Sequence, residues 1–105
     1  MFARNVSLCL KPNTRSEFTR IFDKEVIPIL RKQNGFRDEI TFAVPGDLNV
    51  VAISLWDTKD YAEAYNTAGY PEVLKILDKV LDGTPKVQVS DVISSTIHKP
   101  AAVAA

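Results

Sequence analysis

The spacing of apolar residues switches between two periods along this chain, and the order of the switches restricts the fold more than any motif does. Residues 2 to 10, "FARNVSLCL", alternate: Phe2, Arg4, Val6, Leu8 and Leu10 point one way, Ala3, Asn5, Ser7 and Cys9 the other. Successive side chains of a strand leave opposite faces, so this spacing predicts a strand. After "KPN", the run "TRSE" has the form of a capping box with Thr14 as N-cap and Glu17 reaching back. Phe18, Ile21, Phe22, Glu25, Ile29 and Leu30 then recur at helical spacing. Pro28 lacks a backbone donor and crowds the carbonyl four residues earlier, which predicts a kink or break. Asn34 and Gly35 supply a left-handed stop.

Residues 36 to 44 and 50 to 56 are two further strand patterns around the turn "PGDLN", and so form a hairpin. Asp57 is the expected N-cap of a second helix, interrupted at "AGYP" and resumed with Val73, Ile76, Leu77, Val80 and Leu81 on one side. Residues 86 to 99 read as a long fourth strand, and residues 100 to 105, "PAAVAA", as a flexible C-terminal tail after a single domain over residues 1 to 99. The order is that of the α+β, ferredoxin-like βαββαβ arrangement: a four-stranded antiparallel sheet with two helices on one face.

Composition excludes several classes of function. With 105 residues the chain builds one modest core, and its thirteen basic and thirteen acidic residues cancel, which argues against nucleic acid as a partner. One cysteine, Cys9, excludes an intramolecular disulfide and fits a reducing, cytoplasmic setting. Arg4 and Asn5 interrupt any signal-peptide core, and no apolar run approaches the roughly 20 residues that span a bilayer. No His/Cys/Asp cluster has metal-ligand spacing, and no glycine-rich loop could cradle a nucleotide.

Two helices cover one face of such a sheet only. Val6, Leu8 and Leu10, with Val51, Ile53 and Leu55, would leave the other face apolar, which predicts a homodimer formed through the sheet faces. The opposite parities, Asn5 and Ser7 with Ala52, Ser54 and Trp56, then face the helices. They either let the helices pack closely or leave a cavity roofed by Phe22, Tyr61, Tyr65 or Tyr70.

The segments "ILRKQNGFRDE" and "WDTKDYAEAYNTAGYPEVLKILDKVLDGTPKVQV", with Gly35 and Phe36 opening the second strand and Trp56 closing the third, resemble the antibiotic biosynthesis monooxygenase (ABM) domain of the dimeric α+β barrel superfamily. The resemblance spans residues 2 to 98 and implies a homodimer with a pocket in each subunit between sheet and helices. Some members oxidise quinols or polycyclic phenols with molecular oxygen and need neither metal nor flavin, so no cofactor is expected. Others degrade haem with an asparagine, a tryptophan and a histidine. Asn5 and Trp56 match the first two, but the second helix offers Lys75 and Ile76 in place of the histidine.

On this reading Asn5 is the candidate catalytic residue, its amide donating to an oxyanion as it forms. Trp56, Ser7, Ser54, Phe22, Tyr61, Tyr65 and Tyr70 are the candidate binding residues for a small aromatic molecule, with Trp56 equally suited to anchoring the core. Glu25 on the helical stripe is a possible base or a rim ion pair with Arg37 or Lys24. His98 beside the tail reads as solvated, and Cys9 as an inert thiol. The alternatives to an oxygenase are a non-catalytic small-molecule binding module, a haem protein, and a purely structural dimerisation domain.

Overall fold

The structure, a computed structural model, describes residues 1–97. The elements run β1 (Phe2–Cys9), α1 (Arg15–Ile21), a π-helical segment (Phe22–Val26), α2 (Ile27–Arg31), β2 (Phe36–Ala43), β3 (Asn49–Trp56), α3 (Lys59–Ala68), α4 (Tyr70–Leu77), a 3-10 turn (Asp78–Val80) and β4 (Lys86–Asp91). The strands form one antiparallel sheet in the order β2-β3-β1-β4. This is the ferredoxin-like α+β fold. His98 and the tail over 100 to 105 lie outside the described residues.

Register decides which side chains meet the helices. β1 and β3 pair Phe2 with Trp56, Arg4 with Ser54, Val6 with Ala52 and Leu8 with Val50. Residues directly opposite share a face, so these pairs all lie on the helix side. Phe2, Val6, Leu8, Val50 and Trp56 join Phe18, Ile21, Leu30, Val73 and Leu77 in one core. The β3 assignment of Ser54 and Trp56 to the helix side holds, and the β1 assignment is inverted. Asn5, opposite Ile53, and Ser7, opposite Val51, lie on the open face, and Val6, Leu8 and Leu10 lie in the core. Burying Phe2, Val6 and Leu8 of β1, with Leu10 just beyond it, outweighs burying an amide and a hydroxyl, because each large side chain contributes about 1.5–3 kcal/mol when buried.

The open face is still apolar, through the β3 residues expected there but with β2 in place of β1 beside them. Val51, Ile53 and Leu55 on β3 are flanked by Ile40 and Phe42 on β2, each 53% exposed. β4 presents Lys86, Gln88 and Ser90 there, opposite Ser7, Asn5 and Ala3.

Several local expectations are realised by other atoms. Thr14 precedes α1, but its hydroxyl donates to the Lys11 carbonyl (2.7 Å), and Glu17 pairs with Lys79, so the capping box does not form. The N-cap of α3 is Thr58, whose hydroxyl accepts from the Tyr61 amide, while Asp57 pairs with Arg37. Pro28 stands in the first turn of α2, so the α-helical ladder is interrupted just before it, as expected. The chain widens one turn earlier, where the Ile27 amide reaches the Phe22 carbonyl five residues back. The helix 59–77 is interrupted at Gly69, as "AGYP" predicts. β4 is shorter than residues 86 to 99, because its ladder stops where β1 stops, at the pair Phe2 and Asp91.

Gly35 is a case where the backbone requires glycine. Its φ is +77°, and an added Cβ would come within 2.3 Å of the Tyr61 ring. Its carbonyl accepts from the Asp57 amide (2.8 Å), tying the start of β2 to the end of β3.

Candidate functional site

The inner face of the sheet and the helices enclose a cavity of about 40 Å³, walled mostly by apolar side chains with Arg4, Glu39, Ser54, Tyr65 and Tyr70 among them. β1 supplies Arg4, β2 supplies Glu39, β3 supplies Ser54, and Tyr65 and Tyr70 flank the α3–α4 joint. That volume holds a few water-sized molecules. Two larger grooves adjoin it. One, of about 380 Å³ between α1 and β2, shares Phe22 and Glu39 with the cavity. The other, of about 290 Å³ between α3 and β4, shares Arg4.

Arg4 is the unusual residue. It is 2% exposed, and only its Nη1 has a hydrogen-bond partner, donating to Asn66 Oδ1 at 2.8 Å. Nε and Nη2 are buried without a partner. The guanidinium carbon lies 4.6 Å from the Tyr70 ring centroid and 5.1 Å from that of Tyr65, so two aromatic faces serve it in place of a carboxylate. Glu39 lines the same cavity, but it accepts from the Thr41 hydroxyl (2.6 Å), and no ion pair joins it to Arg4.

Burial governs the charges here. Desolvation lowers the Arg4 pKa against the opposing effect of Tyr65 and Tyr70, yet a guanidinium stays cationic at neutral pH. Desolvation raises the pKa of Tyr65 and Tyr70 despite the nearby Arg4, so both remain phenols and cannot neutralise it. Burial also raises the Glu39 carboxyl pKa, with Thr41 opposing and Asp23 adding to the rise.

The candidate residues divide accordingly. Phe22, Ser54, Tyr65 and Tyr70 line the cavity. Trp56 stands behind it: it is 0% exposed, its Nε1 donates to Ser54 Oγ (2.9 Å), and its ring stacks on Tyr65 with centroids 5.0 Å apart. It is the core anchor. Tyr61 is exposed and packs over Gly35, away from the cavity. Asn5 and Ser7 are on the other face of the sheet, where they cannot donate into this cavity. Glu25 is exposed and Lys75 points to solvent. Arg4 was missed as a candidate, although a charged residue within an otherwise apolar alternation marks a buried charge.

No protein-family model and no curated protein matches the sequence. Solved structures do match. A protein of unknown function from Nitrosomonas europaea superposes with a TM-score of 0.76 at 14% identity, over 96% of this chain and 95% of its own. A candidate antibiotic biosynthesis monooxygenase from Bordetella bronchiseptica gives 0.75 at 14% identity, over 89% and 97%. SnoaB, a cofactor-independent oxygenase from Streptomyces nogalater, gives 0.74 at 14% identity, over 92% and 97%. The chain has the ABM fold. At these identities the likeness is one of architecture alone.

Proposed function

We propose that the chain is a cofactor-independent monooxygenase acting on a small oxygenated aromatic with molecular oxygen. The observation that carries this is the buried, incompletely partnered Arg4 cation in an aromatic-walled cavity of the ABM fold. Oxygenation without a cofactor needs an electron-rich substrate anion. A fixed cation in a low-dielectric site stabilises such an anion far better than water-exposed groups do. Arg4 takes the role that the sequence suggested for Asn5. Glu39, with its carboxyl pKa raised by burial, is the proton acceptor.

The chemistry balances without a further reagent. A ring-flanked CH₂ loses a proton to the base, the carbanion gives an electron to oxygen, and the radical pair joins as a peroxide. The peroxide takes up the proton and loses water, leaving a carbonyl, so that CH₂ and O₂ become C=O and H₂O. The cavity of about 40 Å³ is large enough for molecular oxygen, and the aromatic ring would occupy the mouth of an adjoining groove. A homodimer through the open sheet face would cover Ile40, Phe42 and their β3 neighbours.

The test is oxygen uptake by metal-stripped protein with a panel of quinols and anthrone-type phenols, for wild type and Arg4→Met. Uptake with one product per oxygen that disappears in the variant supports the proposal. Ligand binding with no uptake by any substrate favours the non-catalytic binding module, a reading that the small cavity supports.

A further inference from the structure

The geometry of Arg4 narrows the ligand class. Its partnered nitrogen is Nη1, and the two without partners are Nε and Nη2. Those two N–H groups form one edge of the planar guanidinium and point the same way, the arrangement that grips both oxygens of a carboxylate. Among the described residues no carboxylate forms an ion pair with it.

Arg4 also stands in the wall of the groove between α3 and β4, beside Asn66, the acceptor of its Nη1. On its β4 side the groove is lined by Val87 and Val89, which pair with Val6 and Arg4 and so sit on the helix side of the sheet. They stand across the groove from α3 and are 41% and 51% exposed. Phe2 and Ala62 complete the apolar part, and Lys59 and Glu63 stand among the polar residues.

We infer that the ligand of this site is an apolar monocarboxylate, held side-on by Arg4 Nε and Nη2, with its hydrocarbon part along Val87 and Val89 in the α3–β4 groove. This rests on the reading of the sheet–helix cavity as a ligand site, and it does not require the oxygen chemistry. A carboxylate supplies the charge and both acceptors that the buried guanidinium lacks. An alcohol or an amide supplies neither.

The experiment is titration calorimetry under argon in a buffer free of carboxylate and phosphate, with hexanoate and hexanamide as probes. Hexanoate is expected to bind saturably at one per chain and hexanamide at least about tenfold more weakly. From butanoate to octanoate the affinity should rise about three- to fourfold per added CH₂, and Val89→Asp should abolish that rise. Arg4→Lys keeps the charge but loses the fork, and should weaken hexanoate about tenfold or more. Should that variant not fold, the Nε–H resonance of Arg4 in the wild type decides: it must shift on adding hexanoate. Equal binding of hexanamide, a silent Arg4 resonance, or no dependence on chain length overturns the proposal. Oxygen uptake is scored separately. Hexanoate binding without uptake sinks the oxygenase reading alone, and uptake without hexanoate binding sinks this one alone.

Discussion

Replacing Arg4 with methionine should leave the protein as stable as it was, or stabler, although the residue is almost wholly buried. The variant loses one charge-assisted hydrogen bond, worth about 1.5–3 kcal/mol, to Asn66. Asn66 is itself exposed, so its carbonyl returns to water at little cost. It also loses two cation–aromatic contacts at about 0.5–2 kcal/mol each. Against these stand the desolvation of an unpaired cation, several kcal/mol, and two buried N–H groups without acceptors at about 1–3 kcal/mol each. These opposing sums overlap, and replacing a buried ion by an apolar side chain is commonly neutral to stabilising, so neutral to about 2 kcal/mol in favour of methionine is expected. At 105 residues each kcal/mol moves the midpoint by about 4–5 °C, so the melting temperature should be unchanged or up to about 9 °C higher. Urea and thermal unfolding in carboxylate-free, phosphate-free buffer measure this. A loss above about 2 kcal/mol, the ordinary cost of truncating a well-satisfied buried side chain, would refute the reasoning. Arg4 would then have its acceptors already, and no vacancy for a ligand.

Three other substitutions probe separate parts of the structure. Gly35→Ala combines a left-handed φ with a collision on the Tyr61 ring, and should cost about 2–4 kcal/mol by denaturant midpoint. Ser54→Ala leaves the buried Trp56 Nε1 without an acceptor, and should cost about 1–3 kcal/mol with a shifted tryptophan emission. Glu39→Gln tests the half-buried carboxyl through pH. Its folded pKa is raised, so the native state holds its proton more tightly than the unfolded chain does, and stability falls as pH rises from the unfolded value through the folded one. The glutamine variant should therefore match wild type below about pH 4 and be the more stable of the two at neutral pH, by unfolding at both pH values.

Much of the architecture was legible because it rests on local pattern. The alternation of β1, the hairpin turn and the left-handed stop at Gly35 each depend on a few neighbouring residues, and each is where the sequence put it. The ABM likeness followed from element order, from Gly35 and Phe36 opening the second strand and from Trp56 closing the third. What failed was register. β1 and β3 are paired even with even, and that relation is set by turn and crossover geometry rather than by either strand's own spacing. One step of error moved Asn5 and Ser7 into a cavity that they do not face, and hid Arg4. The signal for Arg4 was present, since Phe2, Val6, Leu8 and Leu10 surround it in the same alternation. β4 was over-extended because the alternation continues past Asp91 while its ladder partner does not. The Thr14 box failed because its hydroxyl turns to the Lys11 carbonyl and accepts from no amide of α1.

The π-helical segment before Pro28 bears on what length changes the chain can absorb. Phe18, Phe22, Val26 and Leu30 are all buried, in successive steps of four residues. In an uninterrupted α-helix that row would wind about 120° around the axis from first to last, because each residue turns about 100°. The wide turn over Phe22–Val26 takes up the excess and keeps the row on the sheet. Removing one exposed residue, such as Lys24, would shorten the row by a single step and bring the drift to about 20°, which an ordinary α-helix tolerates. Helices that pack on a sheet normally reject single-residue deletions, since everything downstream rotates away. This one carries a spare residue, and its loss would leave the inward row intact, while Pro28 would still leave one rung of the helical ladder unmade.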